Sequence, residues 1–263
     1  MIDGHWVEST IIAGQVCEKT KYWVPGRKKN GKVSRRDIDR VRKQKQNEYS
    51  AVKRLARDLN ANFTGGDLLV CMTYSQKGMD KLEKWIKSQG VDLDSLEEEN
   101  RMLMLWEAAD HEMVNFLRRL KRHAQKQGLE VKAAYITSDM DGDTGELVRV
   151  HHHIVVNREV KELLQNAWGK EMGNVEWEKM WTMQEDRTPI ADYMIRQVRK
   201  MKDSKKYRTT RNLQHPEAIH EIVLEEEELA VPTGGRLLYR AEFKGHTKPQ
   251  YIRYIMPKAT PAA

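Results

Sequence analysis

Apolar and polar positions change period several times along the chain, and each change marks an element. From Met102 to Leu120 the residues Met102, Leu105, Trp106, Ala109, Met113, Phe116, Leu117 and Leu120 recur at i, i+3, i+4 and i+7, the spacing of one helical face. The tail RRLKRHAQKQG puts cations in the last turns and a glycine at the stop. Residues 67–75, DLLVCMTYS, are an apolar run of strand length behind the glycine-bearing loop ANFTGGD, and predict a buried central strand. VKAAYITSD and LVRVHHHIVVN predict two strands joined by the turn DMDGDTGE. After them REVKELLQNAWG predicts a short helix, GNVEWEKMWTM a strand, and RTPIADYMIRQVRKMK a helix with proline near its start.

The flanks are less regular. Residues 1–34 read as an arm in which VCEKTKYWV is strand-like and PGRKKNGKVS is a cationic turn-rich loop, and residues 36–60 lack Pro and Gly and read as a helix. Beyond about residue 214, HPEAIHEIVLEEEEL is acidic and reads as a solvated face or linker, VPTGGR is a turn, and LLYRAEFKG and QYIRYIM resemble strands. Strands interleaved with helices predict an α+β fold, a central antiparallel sheet with helices packed on one face. The chain divides into an N-terminal arm and helix (1–60), a core (61–214) and a C-terminal extension (215–263).

With 263 residues, 39% hydrophobic and 32% charged, the chain can bury one sizeable core with appendages, or two small domains. No apolar run approaches the roughly 18 residues that suggest a membrane span. The N-terminus MIDGHWVEST lacks a basic-then-apolar signal, so the expected place of action is the cytoplasm, with no membrane partner. Cys17 and Cys71 stand far apart without CxxC spacing, which argues against a disulfide framework or a cysteine zinc site. A net charge of +7 favours a polyanionic partner, but charge confers affinity rather than an activity.

Chemistry concentrates in two segments. In a strand alternate side chains share a face, so Arg149, His151 and His153 project together while His152 joins the apolar set Val148, Val150, Ile154 and Val156. Two imidazoles one residue apart can converge on a divalent metal, whereas His152 reads as a packed core histidine. An oxygen donor is expected beside them; Asp139, at the end of the neighbouring strand with Tyr135 and Thr137 on its face, is the first choice, with Glu146 and Asp141 in reserve. The loop imitates an EF-hand in DMDGD, but Thr144 and Val150 stand where the glycine and the bidentate glutamate belong.

In RTPIADYMIRQVRK the residues Ala191, Met194, Ile195, Val198 and Met201 make one apolar helical face, with Tyr193, Arg196, Gln197 and Lys200 opposite. A phenol beside cations at i+3 and i+7 has the access and positive charge that attack on phosphate requires. GRKKNGKV (26–33) matches a P-loop until Val33 replaces the magnesium-binding hydroxyl. A basic loop whose Arg27, Lys28 and Lys29 touch DNA phosphates is the more economical reading.

Taken in order, DLLVCMTYS, RVHHHIVVN and ADYMIRQVRK resemble the three motifs of HUH replication initiators: an apolar strand ending in Thr, a His-x-His strand and a helix-borne tyrosine. NFTGGDLLVCMTYS, NFLRRLKRHAQ and KKYRTTRNLQHP further resemble the branch of filamentous-phage gene II proteins and their plasmid relatives, over roughly residues 40–214. The resemblance implies an endonuclease that nicks single-stranded DNA at a rolling-circle origin, with His151, His153 and an acidic residue binding Mg²⁺ or Mn²⁺ and Tyr193 as nucleophile. Arg149, Arg196 and Lys200 are then expected at the DNA phosphates, and a bacterial host would supply polymerase and helicase. Many relatives carry Glu on the strand before the histidines where this chain has Ser138-Asp139, so the third ligand stays open among Asp139, Glu146 and Asp141. The alternatives are a single-tyrosine HUH transposase or relaxase, or a basic DNA-binding regulator without catalysis.

Overall fold

The computed structural model describes residues 4–26, 40–142, 144–180, 185–199, 205–243 and 247–257. A hairpin of β1 (Gly4–Ala13) and β2 (Val16–Pro25) leads to helix α1 (Arg40–Asn62), strand β3 (Leu68–Thr73) and helices α2 (Gln76–Ser88) and α3 (Glu98–Gln125). The hairpin β4 (Ala133–Met140) and β5 (Leu147–Val156) follows, then α4 (Lys161–Trp168), β6 (Val175–Lys179) and α5 (Thr188–Arg196). The chain finishes with β7 (Arg208–Thr209), β8 (Ile219–Val223), β9 (Arg236–Glu242) and β10 (Gln250–Ile255). Among the described residues no helix is long and apolar enough to cross a membrane.

The central sheet is antiparallel in the order β6-β3-β5-β4-β7. Its register assigns the faces, because directly paired residues share one: Cys71, His153 and Ile136 lie on one side, Met72, His152 and Thr137 on the other. Val70, Met72, Tyr135, Ile154 and Val156 pack against Leu82 and Ile86 of α2, Trp106, Met113 and Phe116 of α3, and Trp168 of α4. Ala134, Ile136 and Val155, on the opposite face, pack against Leu55 and Leu59 of α1 and Ala191, Met194 and Ile195 of α5. Helices therefore cover both faces, not one as the sequence pattern suggests. The reason lies in β4 and β5, which put apolar side chains on both sides and leave neither face fit for water.

The two flanks of the chain combine in a second antiparallel sheet, ordered β8-β1-β2-β10-β9. One face rests on α1 and the start of α5. Arg57 of α1 forks onto Glu18 at 2.7 and 3.0 Å, Tyr251 donates to the same carboxylate at 3.0 Å, and Arg253 reaches Thr188 at 2.9 Å and Asp186 at 3.3 Å. Burial pushes the Glu18 carboxyl up, but the Arg57 bond and charge and the Tyr251 hydroxyl outweigh it and hold Glu18 below its usual range. The β1–β2 turn abuts the end of α1 at Gly14 (φ 58°), where a Cβ would fall 2.1 Å from the Asn60 carbonyl oxygen.

The other face is closed by the stretch after β8. Leu229 and Val231 cover Cys17, Ile252 and Tyr254 there. The buried Lys21 ammonium donates to the carbonyls of Leu224 (2.8 Å), Glu225 (2.7 Å) and Glu227, tying the acidic run down by its backbone while its carboxylates stay in water. The run read as a solvated face or linker thus begins as a strand and ends as a cover.

Candidate functional site

β5, the middle strand of the central sheet, presents its three histidines to two different environments. His152 points into the α3 side and is wholly buried, with its Nε2 2.8 Å from the Tyr74 hydroxyl and its Nδ1 3.1 Å from Thr137 Oγ1. Thr137 Oγ1 donates onward to Asp110 at 3.3 Å, so a consistent chain runs from Tyr74 O–H through the neutral ring to the carboxylate. Burial, with smaller contributions from the flanking His151 and His153, lowers the His152 pKa to about 3.

His151 and His153 share the opposite face, their rings edge-on at 5.0 Å. Burial first, then the neighbouring His151, lowers the His153 pKa to about 4, so at neutral pH this ring is an uncharged donor. His151 Nδ1 lies 3.0 Å from the Arg149 carbonyl oxygen; donating there, it leaves Nε2 to face the centre of the site. In that centre sits the amide oxygen of Gln197, 2.9 Å from His153 Nε2 and 3.4 Å from His151 Nε2. Two imidazole nitrogens and an amide oxygen converge where a divalent cation would satisfy all three, and neutral nitrogen plus uncharged oxygen suits such an ion.

Gln197, buried just beyond α5, is held from behind. Ser138, the residue opposite His151 in the β4–β5 register, donates its hydroxyl to the Gln197 carbonyl at 2.6 Å. Arg199 forks onto the buried Asp139 at 2.5 and 3.3 Å. The end of β4 thereby clamps the end of α5, and with it the position of every side chain that α5 offers to the histidines.

Tyr193 is 41% exposed and stands edge-on to His153, ring centres 5.2 Å apart. It borders two adjoining clefts of about 250 and 260 Å³, one floored by Leu69 and Cys71, the other by Leu69 and Met180. Their rim carries Glu176 and Glu178 of β6 along with Lys179, so the surroundings of Tyr193, expected to be cationic, are acidic on this side. Tyr207, which also stands among cations in the sequence, is engaged elsewhere: its hydroxyl bonds Asp58 at 3.1 Å, and burial together with the Asp58 charge raises its pKa.

Several expected residues fall in other places. Asp139 gives both oxygens to Arg199 rather than joining the histidines: Tyr135 and Thr137, its partners in the alternation, lie on the His152 face, so a regular strand would turn it away from His151 and His153, and the register shift between Ser138 and Met140 leaves it on the Arg199 guanidinium. Asp141 accepts the Thr144 backbone amide at 2.8 Å inside the turn, and Glu146 is exposed. Among the described residues no group of three or more His, Cys, Asp and Glu is arranged to hold a metal. Arg196 pairs with Asp192 at 3.1 Å on the exposed side of α5, and the exposed Arg149 reaches the Tyr74 carbonyl at 3.5 Å. Arg27, Lys28, Lys29 and Lys200 lie outside the described residues.

Gln197 is the site residue that the sequence reading passes over, grouping it with the exposed side of the helix. The available signal is its place one turn after Tyr193, at i+4. Comparison with known protein families, with curated proteins and with solved structures finds no match to this chain.

Proposed function

We propose that this chain is a metal-dependent, HUH-type enzyme that nicks and rejoins single-stranded DNA, acting as a rolling-circle replication initiator with Tyr193 as its nucleophile. One observation carries the reading: His151 and His153 converge on a single oxygen, and an exposed tyrosine stands against one of them.

His151, His153 and Gln197 are the residues that would hold Mg²⁺ or Mn²⁺, with the amide in the role first given to Asp139. A metal there supplies positive charge to the scissile phosphate. The chain's own part is positional. The Ser138 and Asp139 clamps fix the end of α5, and α5 holds Tyr193 at the border of the two clefts. That oxygen bonds to phosphorus as the bond from phosphorus to the 3′-oxygen breaks; the phenol proton passes to water, and the departing 3′-oxygen takes one from water. The 5′-phosphate stays on Tyr193 as an ester that a 3′-hydroxyl can reverse. Glu176 and Glu178 repel free phosphates from the rim, which makes productive approach depend on the metal.

Intact-mass analysis after incubation with Mn²⁺ and a randomised pool of single-stranded oligonucleotides tests the reading. A chelator-sensitive covalent adduct is the expected result. Binding of the pool without any adduct would instead favour a regulator without catalysis.

A further inference from the structure

The second sheet offers a surface that the proposed nicking site does not use. On α1 the residues Lys45, Tyr49, Lys53 and Arg57 follow one another at four-residue spacing and form one stripe. The stripe runs onto the second sheet. Arg57 bonds Glu18, and Lys53 stands 3.9 Å above the ring of Tyr251, which is paired with Thr20, two residues further along β2. Four helical residues and two strand residues advance about 6 Å alike, so the next step carries Tyr49 toward the row of Tyr22.

Lys53 is also 4.8 Å from the ring of Tyr49, and Tyr239 of β9 lies 6.0 Å from Tyr251. Tyr49 and Tyr239 are 55% and 50% exposed, Tyr22 is half-buried on the same sheet face, and Lys45 is exposed. The glutamates of the second sheet are sorted between its two faces. Glu8, Glu221 and Glu242 share the opposite face, and Glu18 on this one is buried against Arg57.

Exposed aromatic rings on a sheet and on the helix packed beside it, with a lysine between them and the strand carboxylate on this face buried in an ion pair, are what unpaired bases and their phosphates require: rings to stack on and a cation beside them. We infer that this face, with Tyr49, Tyr239 and Lys53 at its centre, binds single-stranded nucleic acid by base stacking. The inference stands apart from the nicking chemistry and needs no metal.

It is tested by fluorescence anisotropy of the full chain with labelled dT15 in the presence of EDTA, which silences any cleavage. The Tyr49→Ala, Tyr239→Ala double variant is expected to bind at least tenfold more weakly, since each stacked base contributes on the order of tenfold. Phenylalanine at both positions restores the wild-type affinity within about twofold, because the ring and not the hydroxyl does the stacking. Both positions are on the surface, so the variants keep the wild-type circular dichroism and melting temperature. Alanine variants that bind as tightly as wild type, or an abasic 15-mer that binds as tightly as dT15, would overturn the inference. So would a wild-type chain that fails to bind dT15, and that result would leave the face to a protein partner.

Discussion

Gly142 lies directly beneath the side chain of Gln197. A Cβ at position 142 would fall 2.8 Å from Gln197 Cγ, well inside the distance at which packed carbons sit. The absence of a side chain in the β4–β5 loop is therefore what lets the amide oxygen reach both imidazoles.

Gly142→Ala is expected to displace Gln197 and weaken Mn²⁺ binding on the order of tenfold, the usual effect of disturbing a group that supports a metal site. Its backbone conformation is one that alanine adopts, so the fold survives. Gln197→Ala is expected to weaken binding at least as much, and Gln197→Glu to strengthen it by adding charge. Calorimetric titration reads all three, and unchanged affinity in Gln197→Ala would remove the amide from the site.

Asp139 acts through Arg199. Asp139→Asn removes the charge opposing a guanidinium whose side chain is 13% exposed, and breaking such a buried pair costs on the order of 3 kcal/mol. Urea denaturation with chelator present is expected to show that loss. A variant as stable as wild type but weaker in metal binding would return Asp139 to the ligand set.

The buried His152 makes stability depend on pH. Its pKa is about 3 in the fold against 6.5 unfolded, so below pH 6.5 the unfolded chain takes up the proton first. The stability gained from the neutral ring is full above about 6.5 and declines as pH falls toward 3. His152→Gln can bond Tyr74 and Thr137 without titrating, and is expected to flatten that decline. Urea midpoints at pH 7 and pH 5 in EDTA decide it; equal slopes for the two proteins would assign the pH dependence to other groups.

For the nucleophile, adduct formation is expected to vanish in Tyr193→Phe and to persist in Tyr207→Phe. The second change costs the Asp58 hydrogen bond, an effect of about 1 kcal/mol on stability. Mass mapping of the adduct separates the two tyrosines, and the reverse pattern would overturn the assignment.

The elements with strong periodicity were legible before any coordinates. The stripe from Met102 to Leu120 falls inside α3, and DLLVCMTYS contains β3. Helix α2 shows how a shorter segment escapes: its Ser75 cap bonds the Gly78 amide at 3.1 Å, but a glycine in its first turn and only two large buried residues, Leu82 and Ile86, weaken the pattern. At the site, alternation places His151 and His153 on one face and His152 on the other. The same alternation groups Asp139 with Tyr135 and Thr137 on the His152 face, so its choice as a ligand misreads the pattern, whereas Gln197 escapes because its burial depends on the turn that ends α5 after Arg196. The second misreading arises where regular geometry stops, and sequence periodicity carries no information there. The joining of the two flanks was equally hidden, since the strand pattern of β10 does not name its partner.

That joining gives the molecule a schedule as well as a shape. Glu18 and the Tyr251 hydroxyl that bonds it are 233 residues apart in the chain. A ribosome delivers β2 long before β10, the strand that lies beside it in the finished sheet. The central sheet, with its strands nearer in sequence, can close first while the early hairpin waits with an open edge. The β2–β10 seam thus closes after the central sheet, and a nascent chain stalled before Gln250 would carry a complete histidine site beside an unfinished second sheet.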